Sequence, residues 1–124
     1  MASEDLNIET ESENGGKTLV FKLSGSLDLA TSGTVREALA KVAKGGSHDL
    51  IVDLTHVDFL DSTGLGALIG AHRRAAEGGG QVRLVVAGGT IARLLNITGL
   101  VRVFAVYPTL KDALQERSRV TNAS

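Results

Sequence analysis

The chain has 124 residues, of which 43% are hydrophobic and only 3% aromatic, and its formal net charge is −1. This length and apolar content predict one globular domain with an aliphatic core, and they exclude a disordered chain. The near-neutral charge, without a long basic run, excludes a general nucleic-acid-binding surface, and the absence of cysteine excludes disulfides, thiolate metal ligands and cysteine catalysis.

The sequence also favours a particular compartment. No apolar segment approaches the roughly 20 residues that a membrane-spanning helix needs. The amino terminus, MASEDLNIETESENGG, is acidic, whereas a secretion signal is basic and then apolar. We therefore expect a cytoplasmic protein with no direct membrane insertion. We divide it into a short polar segment over residues 1–5, a domain over residues 6–117 and a polar tail over residues 118–124.

The amino-terminal half predicts a hairpin, a helix and a buried strand. Asn14-Gly15-Gly16 separates two strand-like segments and favours a β-hairpin. Apolar residues at helical spacing follow, and then an apolar run that suits a buried strand. In chain order the predicted elements are a strand over Leu6–Glu13, a strand over Lys17–Leu23, a loop over Ser24–Asp28, a helix capped by Thr31 or Ser32 that ends before Gly45-Gly46, and a strand over Asp49–Val57.

The carboxyl-terminal half alternates helices with strands. Its predicted elements are a helix through Leu65 and His72 that Gly78-Gly79-Gly80 ends, a strand over Gln81–Ala87, a short helix capped by Thr90, a strand over Val101–Val106, and a helix from Pro108 to about Glu116. Strands that alternate with helices require crossover connections onto a largely parallel sheet. The fold class is therefore α/β: a single layered domain with a mixed, mostly parallel sheet, an antiparallel amino-terminal edge strand and about four helices.

Three motifs of nucleotide-binding proteins and hydrolases are each incomplete. Residues 15–18 read GGKT like the end of a phosphate-binding loop, but that pattern needs a glycine where Glu11 stands. Residues 58–70 read DFLDSTGLGALIG, and a dinucleotide fingerprint there would need glycine in place of Ile69. A hydrolase nucleophile turn at the same segment would need glycine in place of Leu60. These departures argue against a cofactor site and against serine hydrolysis.

The three histidines do not supply a catalytic or metal-binding set. His48, His56 and His72 are scattered, without the i, i+4 spacing of a helical metal site and without a recognisable carboxylate partner. We expect the ring of His72 to pack against the core. We accordingly predict no catalytic residue, no bound cofactor and no metal site in this chain.

Asp61, Ser62 and Thr63 lie where a predicted strand meets a predicted helix, and two interpretations remain open. All three residue types are preferred helix caps. Capping alone does not require Gly64 and Gly66, each of which costs up to about 1 kcal/mol relative to alanine in a helix. The glycines suggest a turn that something approaches closely. A phosphate on a hydroxyl there would be tolerated by the helix terminus and would disturb a docked partner.

Three segments in the correct order resemble a known family. DSTGLG at residues 61–66, preceded by VDFL, resembles the signature of bacterial anti-sigma factor antagonists, the STAS-domain family. GSLD at residues 25–28 resembles the G-x-L-D loop of that family. LLNITGL, from Leu94 to Leu100, resembles its L-F-D-I-T-G-L segment, with Leu95 and Asn96 in place of Phe and Asp. The resemblance spans about Leu6 to Glu116.

The resemblance implies a partner-switching protein. The unphosphorylated antagonist would bind an anti-sigma factor that is also a serine kinase, and so release a sigma factor. The kinase would use ATP and magnesium to phosphorylate the antagonist and abolish binding, until a serine phosphatase restores it. The implied phosphate acceptor is Ser62, with Thr63 as the alternative, and the implied partner-binding residues are Asp28, Asp61, Thr63, Gly64, Leu65 and Gly66. We expect the sheet topology to bring Asp28 near the motif.

Two other classes of function stay open at this stage. The first is a STAS module that does not switch and that scaffolds a membrane transporter or a larger signalling complex. The second is a small hydrolase or nucleotide-binding enzyme, which only catalysis that depends on Ser62 would support. The sequence leaves the oligomeric state undetermined.

Overall fold

A computed structural model of the protein describes residues 6–44 and 49–115. Its strands are β1 (Leu6–Glu13), β2 (Thr18–Leu27), β3 (Asp49–Leu60), β4 (Gln81–Val85) and β5 (Ala105–Tyr107). Its α-helices are α1 (Ser32–Lys44), α2 (Ser62–Glu77), α3 (Gly89–Thr98) and α4 (Leu110–Gln115). Short 3₁₀ turns span Asn14–Gly16 and Leu100–Arg102.

The strands form one five-stranded sheet in the order β1-β2-β3-β4-β5. β1 is antiparallel to β2, and every other neighbouring pair is parallel. At the hairpin, the side chains of Lys22 and Glu11 form an ion pair at 3.1 Å, and the hydrogen bond to Glu11 raises the pKa of Lys22. The predicted fold class, a mixed and mostly parallel sheet with an antiparallel amino-terminal edge strand and four helices, is confirmed.

Helices cover both faces of the sheet. Successive residues of each inner strand point to opposite faces, so both sets of side chains pack against helices. On β3, Leu50 and Val52 pack with α1, α2 and α3 in the larger apolar cluster. Ile51 points to the other face and packs in a smaller cluster with Ala113 of α4. This two-sided burial explains why the beginning of β3, at residues 50–52, is a continuous apolar run rather than an alternating one.

Two strands extend further than predicted. β2 continues through the segment Ser24–Asp28, predicted as a loop, as far as Leu27, and β3 continues beyond Val57 to Leu60. The two extensions pair with each other, with register shifts between Lys22 and Ser24 and between Gly25 and Ser26. Gly25 has φ +107°, a conformation that favours glycine and that suits an irregular strand.

The last strand and the last two helices also differ from the prediction. Residues 101–106 were predicted as a strand, but a 3₁₀ turn occupies Leu100–Arg102 and β5 covers only Ala105–Tyr107. The backbone N–H groups of Val103 and Phe104 donate to the carbonyl of Leu100, so these two N–H groups are not available to pair with a strand.

The starts of the last two helices also differ from the prediction. Gly88, not Thr90, occupies the amino-terminal cap position of α3, and α4 begins at Leu110, not at Pro108. The predictions for residues 1–5, 45–46 and 116–124 fall outside the described residues.

Phe104 contributes a buried ring to the larger cluster, and its exposed fraction is 0%. The ring of His72 packs edge-on against it, with the ring centroids 5.3 Å apart, which confirms the predicted packing of His72. Phe59, by contrast, is 52% exposed at the end of β3.

The two phenylalanines should therefore differ sharply in their contribution to stability. We expect Phe104→Ala to lower the free energy of unfolding by about 3–5 kcal/mol, because it removes a buried ring and leaves a cavity. Phe59→Ala should lower it by less than about 1 kcal/mol. Urea denaturation of both variants tests this difference, and equal losses would show that burial in the larger cluster does not determine the effect.

Candidate functional site

The segment DSTGLG lies at the junction between β3 and α2. Leu60 is the last residue of β3, Asp61 is the amino-terminal cap of α2, and Ser62 is the first helical residue. A carboxylate oxygen of Asp61 accepts a hydrogen bond from the backbone N–H of Gly64 at 2.9 Å. This bond satisfies one of the amide groups that a helix start leaves without an intrahelical partner. Of the three possible caps, the structure shows that Asp61 is the one used.

Asp61 also connects α2 to the loop between β2 and α1. Its second carboxylate oxygen accepts a hydrogen bond from the backbone N–H of Leu29 at 3.2 Å. Its own backbone N–H donates to the carbonyl of Leu27 at 3.2 Å. One residue therefore joins the end of β2, the following loop and the first turn of α2. The loop beside Ser62 is thereby held in a defined position.

Asp28 shapes that same loop. Its carboxylate accepts hydrogen bonds from the backbone N–H groups of Ala30 at 3.0 Å and Thr31 at 3.2 Å. The Thr31 hydroxyl accepts from the N–H of Asp28 at 3.0 Å and donates to the carbonyl of Ser26 at 2.8 Å. The side chain of Asp28 is half-buried. It lies next in sequence to Leu29, which contacts Asp61, so the topology does bring Asp28 near the motif.

The two glycines of the first turn of α2 have different surroundings. A Cβ atom on Gly64 would overlap the carbonyl oxygen of Leu27 and would lie 2.8 Å from the Cγ atom of Leu27. Gly64 is buried, so the close approach that its lack of a side chain permits is made by β2 of the same chain. Among the described residues beyond the backbone of α2, a Cβ on Gly66 would meet the guanidinium of Arg36, at an ordinary 3.6 Å. The interpretation that an outside molecule approaches both glycines is therefore wrong for Gly64.

Ser62 and Thr63 present their hydroxyl groups differently. Ser62 is exposed, whereas Thr63 is half-buried. The Ser62 hydroxyl makes no hydrogen bond within residues 6–44 and 49–115. Neither residue provides the side-chain cap of α2, because Asp61 does. The fold consequently makes no use of the Ser62 hydroxyl in the described part of the chain.

Two exposed apolar side chains lie on the segments that adjoin Asp61, the residue before Ser62. Leu29 is 76% exposed and Phe59 is 52% exposed, and both are among the few large apolar residues on the described surface. Leu65 and Gly66, one turn along α2 from Ser62, are half-buried. We call Leu29, Phe59, Ser62, Leu65 and Gly66 the α2-start surface. Exposed aromatic and aliphatic side chains grouped around a polar centre are typical of a protein-binding surface.

The sequence alone did not identify Leu29 or Phe59 as part of this surface. Leu29 was next to a predicted loop, and Phe59 was one of several apolar residues near a predicted strand end. An apolar residue inside a polar loop is a weak sign of a contact surface. Only the tertiary structure pairs Phe59 with Ser26 and bonds the N–H of Leu29 to Asp61, the cap of α2.

The described residues contain no group of three or more His, Cys, Asp or Glu side chains that could hold a metal ion. No helix in the described part of the chain is both long enough and apolar enough to cross a membrane.

Comparisons with known proteins identify the family of the chain. A family model described as STAS domain matches residues 7–113. An anti-sigma F factor antagonist of Paenibacillus polymyxa is 29% identical over 112 residues, which cover 90% of this chain and 96% of that protein. An anti-sigma-B factor antagonist of Staphylococcus aureus strain NCTC 8325 is 33% identical over 96 residues, which cover 77% of this chain and 87% of that protein. The crystal structure of an anti-sigma factor antagonist from Mycobacterium paratuberculosis has a TM-score of 0.81 at 30% identity, covering 90% of this chain and 92% of that chain.

The contrast between the two glycines predicts opposite effects of one substitution. Gly64→Ala should lower the free energy of unfolding by about 1–3 kcal/mol, because the added methyl group overlaps the backbone of Leu27 and something must shift. Gly66→Ala has room beside Arg36, and it should raise the free energy of unfolding by up to about 1 kcal/mol through helix propensity. Urea denaturation of the two variants tests this, and equal stability of Gly64→Ala and the unmodified protein would contradict it.

Proposed function

The chain belongs to the STAS domain family, and we propose that it is an anti-sigma factor antagonist whose Ser62 hydroxyl is a phosphorylation switch. The observation that carries the proposal is that Ser62 is exposed at a helix start and its hydroxyl makes no hydrogen bond in the described part of the chain. Exposed Leu29 and Phe59 lie on the two segments that adjoin its neighbour Asp61. The relatives named as anti-sigma factor antagonists, which align over most of this chain, support the same role.

In the unphosphorylated form, the α2-start surface binds an anti-sigma factor that is also a serine kinase. Leu29 and Phe59 supply apolar area, and burial of such side chains is the main favourable contribution to association. Because Asp28 and Asp61 already hold the neighbouring loop, little conformational entropy is lost on binding. Binding of the kinase frees the sigma factor. The assignment of Asp28, Asp61, Thr63, Leu65 and Gly66 to this contact remains part of the proposal, whereas Gly64 is buried against Leu27.

The phosphorylation step needs no catalytic residue from this chain. The Ser62 oxygen attacks the γ-phosphorus of ATP, the new O–P bond forms as the bond to ADP breaks, and the hydroxyl proton passes to a base of the kinase. The kinase also holds the magnesium ions. This chain contributes an accessible hydroxyl on a fixed backbone. It is therefore a substrate and a binding protein, and a serine phosphatase reverses the modification.

A phosphate on Ser62 would change the surface without changing the fold. It adds about −1.5 to −2 charges at neutral pH, and that charge must lose water when Leu29 and Phe59 are covered by a partner. The fold loses nothing, because the Ser62 hydroxyl has no structural hydrogen bond in the described residues. The amino terminus of α2 favours an anion, which offsets part of the repulsion from Asp61. Phosphorylation would thus end binding while the domain remains folded.

Ser62 is a better acceptor than Thr63 for a steric reason. The Ser62 side chain is exposed, whereas Thr63 is half-buried against its own domain. In-line attack on ATP requires the hydroxyl oxygen to enter the active site of another protein. The accessible hydroxyl meets this requirement with no rearrangement of α2.

The acceptor can be tested in the source organism. Mass spectrometry of the tagged chain should map phosphate to Ser62, and Ser62→Ala should abolish the phosphorylated form on a phosphate-affinity gel. Thr63→Ala, the matched control, should retain it. Phosphate on Thr63 instead would move the switch by one residue, and phosphorylation of a variant that lacks both hydroxyls would contradict the switch altogether.

Charge at the same position should mimic the modified state. We expect Ser62→Asp to reduce the amount of co-purifying anti-sigma factor kinase by about tenfold or more, because a carboxylate would be desolvated in the contact. Its urea denaturation midpoint should stay close to that of the unmodified protein. Thr90→Asp is the matched control, since it places the same charge on an exposed residue in the first turn of α3. Equal loss of kinase in both variants would contradict a specific role for Ser62.

A further inference from the structure

An arginine of α1 lies beside the first turns of α2. A guanidinium nitrogen of Arg36 is 3.6 Å from the position that a Cβ atom on Gly66 would occupy. The side chain is exposed, and within residues 6–44 and 49–115 it makes no hydrogen bond or ion pair. Arg36 therefore brings an uncompensated positive charge to the contact between α1 and α2.

The position of this charge relative to Ser62 follows from helix geometry. Gly66 is four residues after Ser62, so the two positions lie on one face of α2, with their Cβ positions about 6 Å apart. Cα–Cβ bonds in a helix tilt toward its amino terminus, so a Cβ on Gly66, the position that Arg36 adjoins, would point toward the turn that begins at Ser62. A phosphate extends a few ångströms beyond the serine Cβ, and a guanidinium on its long side chain needs only a change of rotamer to reach it.

The carboxylates nearest to Ser62 in sequence favour a cation beside its phosphate. Asp58 is exposed and Asp61 is half-buried, and the carboxylates of both would repel a phosphate. The amino terminus of α2 compensates only part of that repulsion, because its effect corresponds to about half an elementary charge. Arginine binds phosphate through two parallel N–H···O bonds, which gives it both charge and geometric fit.

We propose that Arg36 is the intramolecular binding partner of the phosphate on Ser62. The guanidinium would hold the phosphate against the α1–α2 face as a dianion, so that the added charge occupies a fixed place in the α2-start surface. Gly66 leaves the surface of α2 open for the guanidinium, where a larger side chain would displace it. This inference rests on the proposed function, because it assigns a role to Arg36 only when Ser62 carries a phosphate.

The test uses phosphoserine installed at position 62 by genetic encoding, so it does not depend on any kinase. Phosphorus NMR titration of the full chain measures the second pKa of the phosphate, which is about 6 for an unperturbed phosphoserine. Because a nearby cation favours the dianion, Arg36→Gln should raise this pKa, by about 0.2–0.7 unit for an exposed pair. The difference should shrink at 1 M salt, where the Debye length is about 3 Å.

Arg73→Gln is the matched control. It removes the same charge from an exposed arginine of α2. Eleven residues along the helix place it about 16 Å from Ser62, so the phosphate pKa should not change. Arg36→Lys keeps the positive charge but loses the planar guanidinium that can bind phosphate through two N–H groups. The second pKa of the phosphate should therefore lie between the values in the unmodified chain and in Arg36→Gln.

The outcomes separate this inference from the proposed function. Equal phosphate pKa values in the unmodified chain and Arg36→Gln would overturn the role of Arg36, whatever kinase acts on Ser62. A shift of the same size in Arg73→Gln would also overturn it, because net charge and not contact would then be the cause. Absence of phosphate on Ser62 in the source organism would instead contradict the proposed function and leave the measured contact intact.

Discussion

The carboxylate of Asp61 is the interaction on which the rest of the site depends. One oxygen binds the N–H of Gly64 and fixes the start of α2, and the other binds the N–H of Leu29 and fixes the loop after β2. The buried face of Gly64 lies against Leu27, so the helix sits close enough for both bonds to form. These contacts join two segments that are more than 30 residues apart in sequence, as the separation between Leu29 and Asp61 shows.

This arrangement separates the residues that build the surface from the residue that changes it. Asp28 and Asp61 use their oxygens in hydrogen bonds to backbone amides, so their main contribution is to hold the loop and the helix in place. The Ser62 hydroxyl has no such bond in the described part of the chain, and exposed Leu29 and Phe59 lie on the segments that adjoin Asp61. A group with no structural role can be modified without cost to the fold. That property suits a switch that acts on association rather than on stability.

Much of the fold could be predicted from local patterns, and the errors have identifiable physical causes. The hairpin, the buried β3 and the helical spacing of α2 depend on short-range periodicity, and all three occur. Residues 24–27 read as a loop because Ser and Gly have low strand propensity, but pairing with β3 overrides that preference. Residues 101–104 read as a strand because their apolar residues alternate, but the left-handed Gly99 turns the chain into a 3₁₀ turn first.

The sequence by itself determined the α/β class, the order of the elements and the segment DSTGLG as the candidate site, because these depend on residue types and spacings that act locally. Only the tertiary structure decided which residues serve the fold and which serve the surface. It placed Leu27 against Gly64, Leu29 against Asp61 and Arg36 beside Gly66, and so divided two similar glycines into a packing residue and a surface residue. Such distinctions depend on distances between segments far apart in the chain, which no local pattern contains until the sheet and helices have packed.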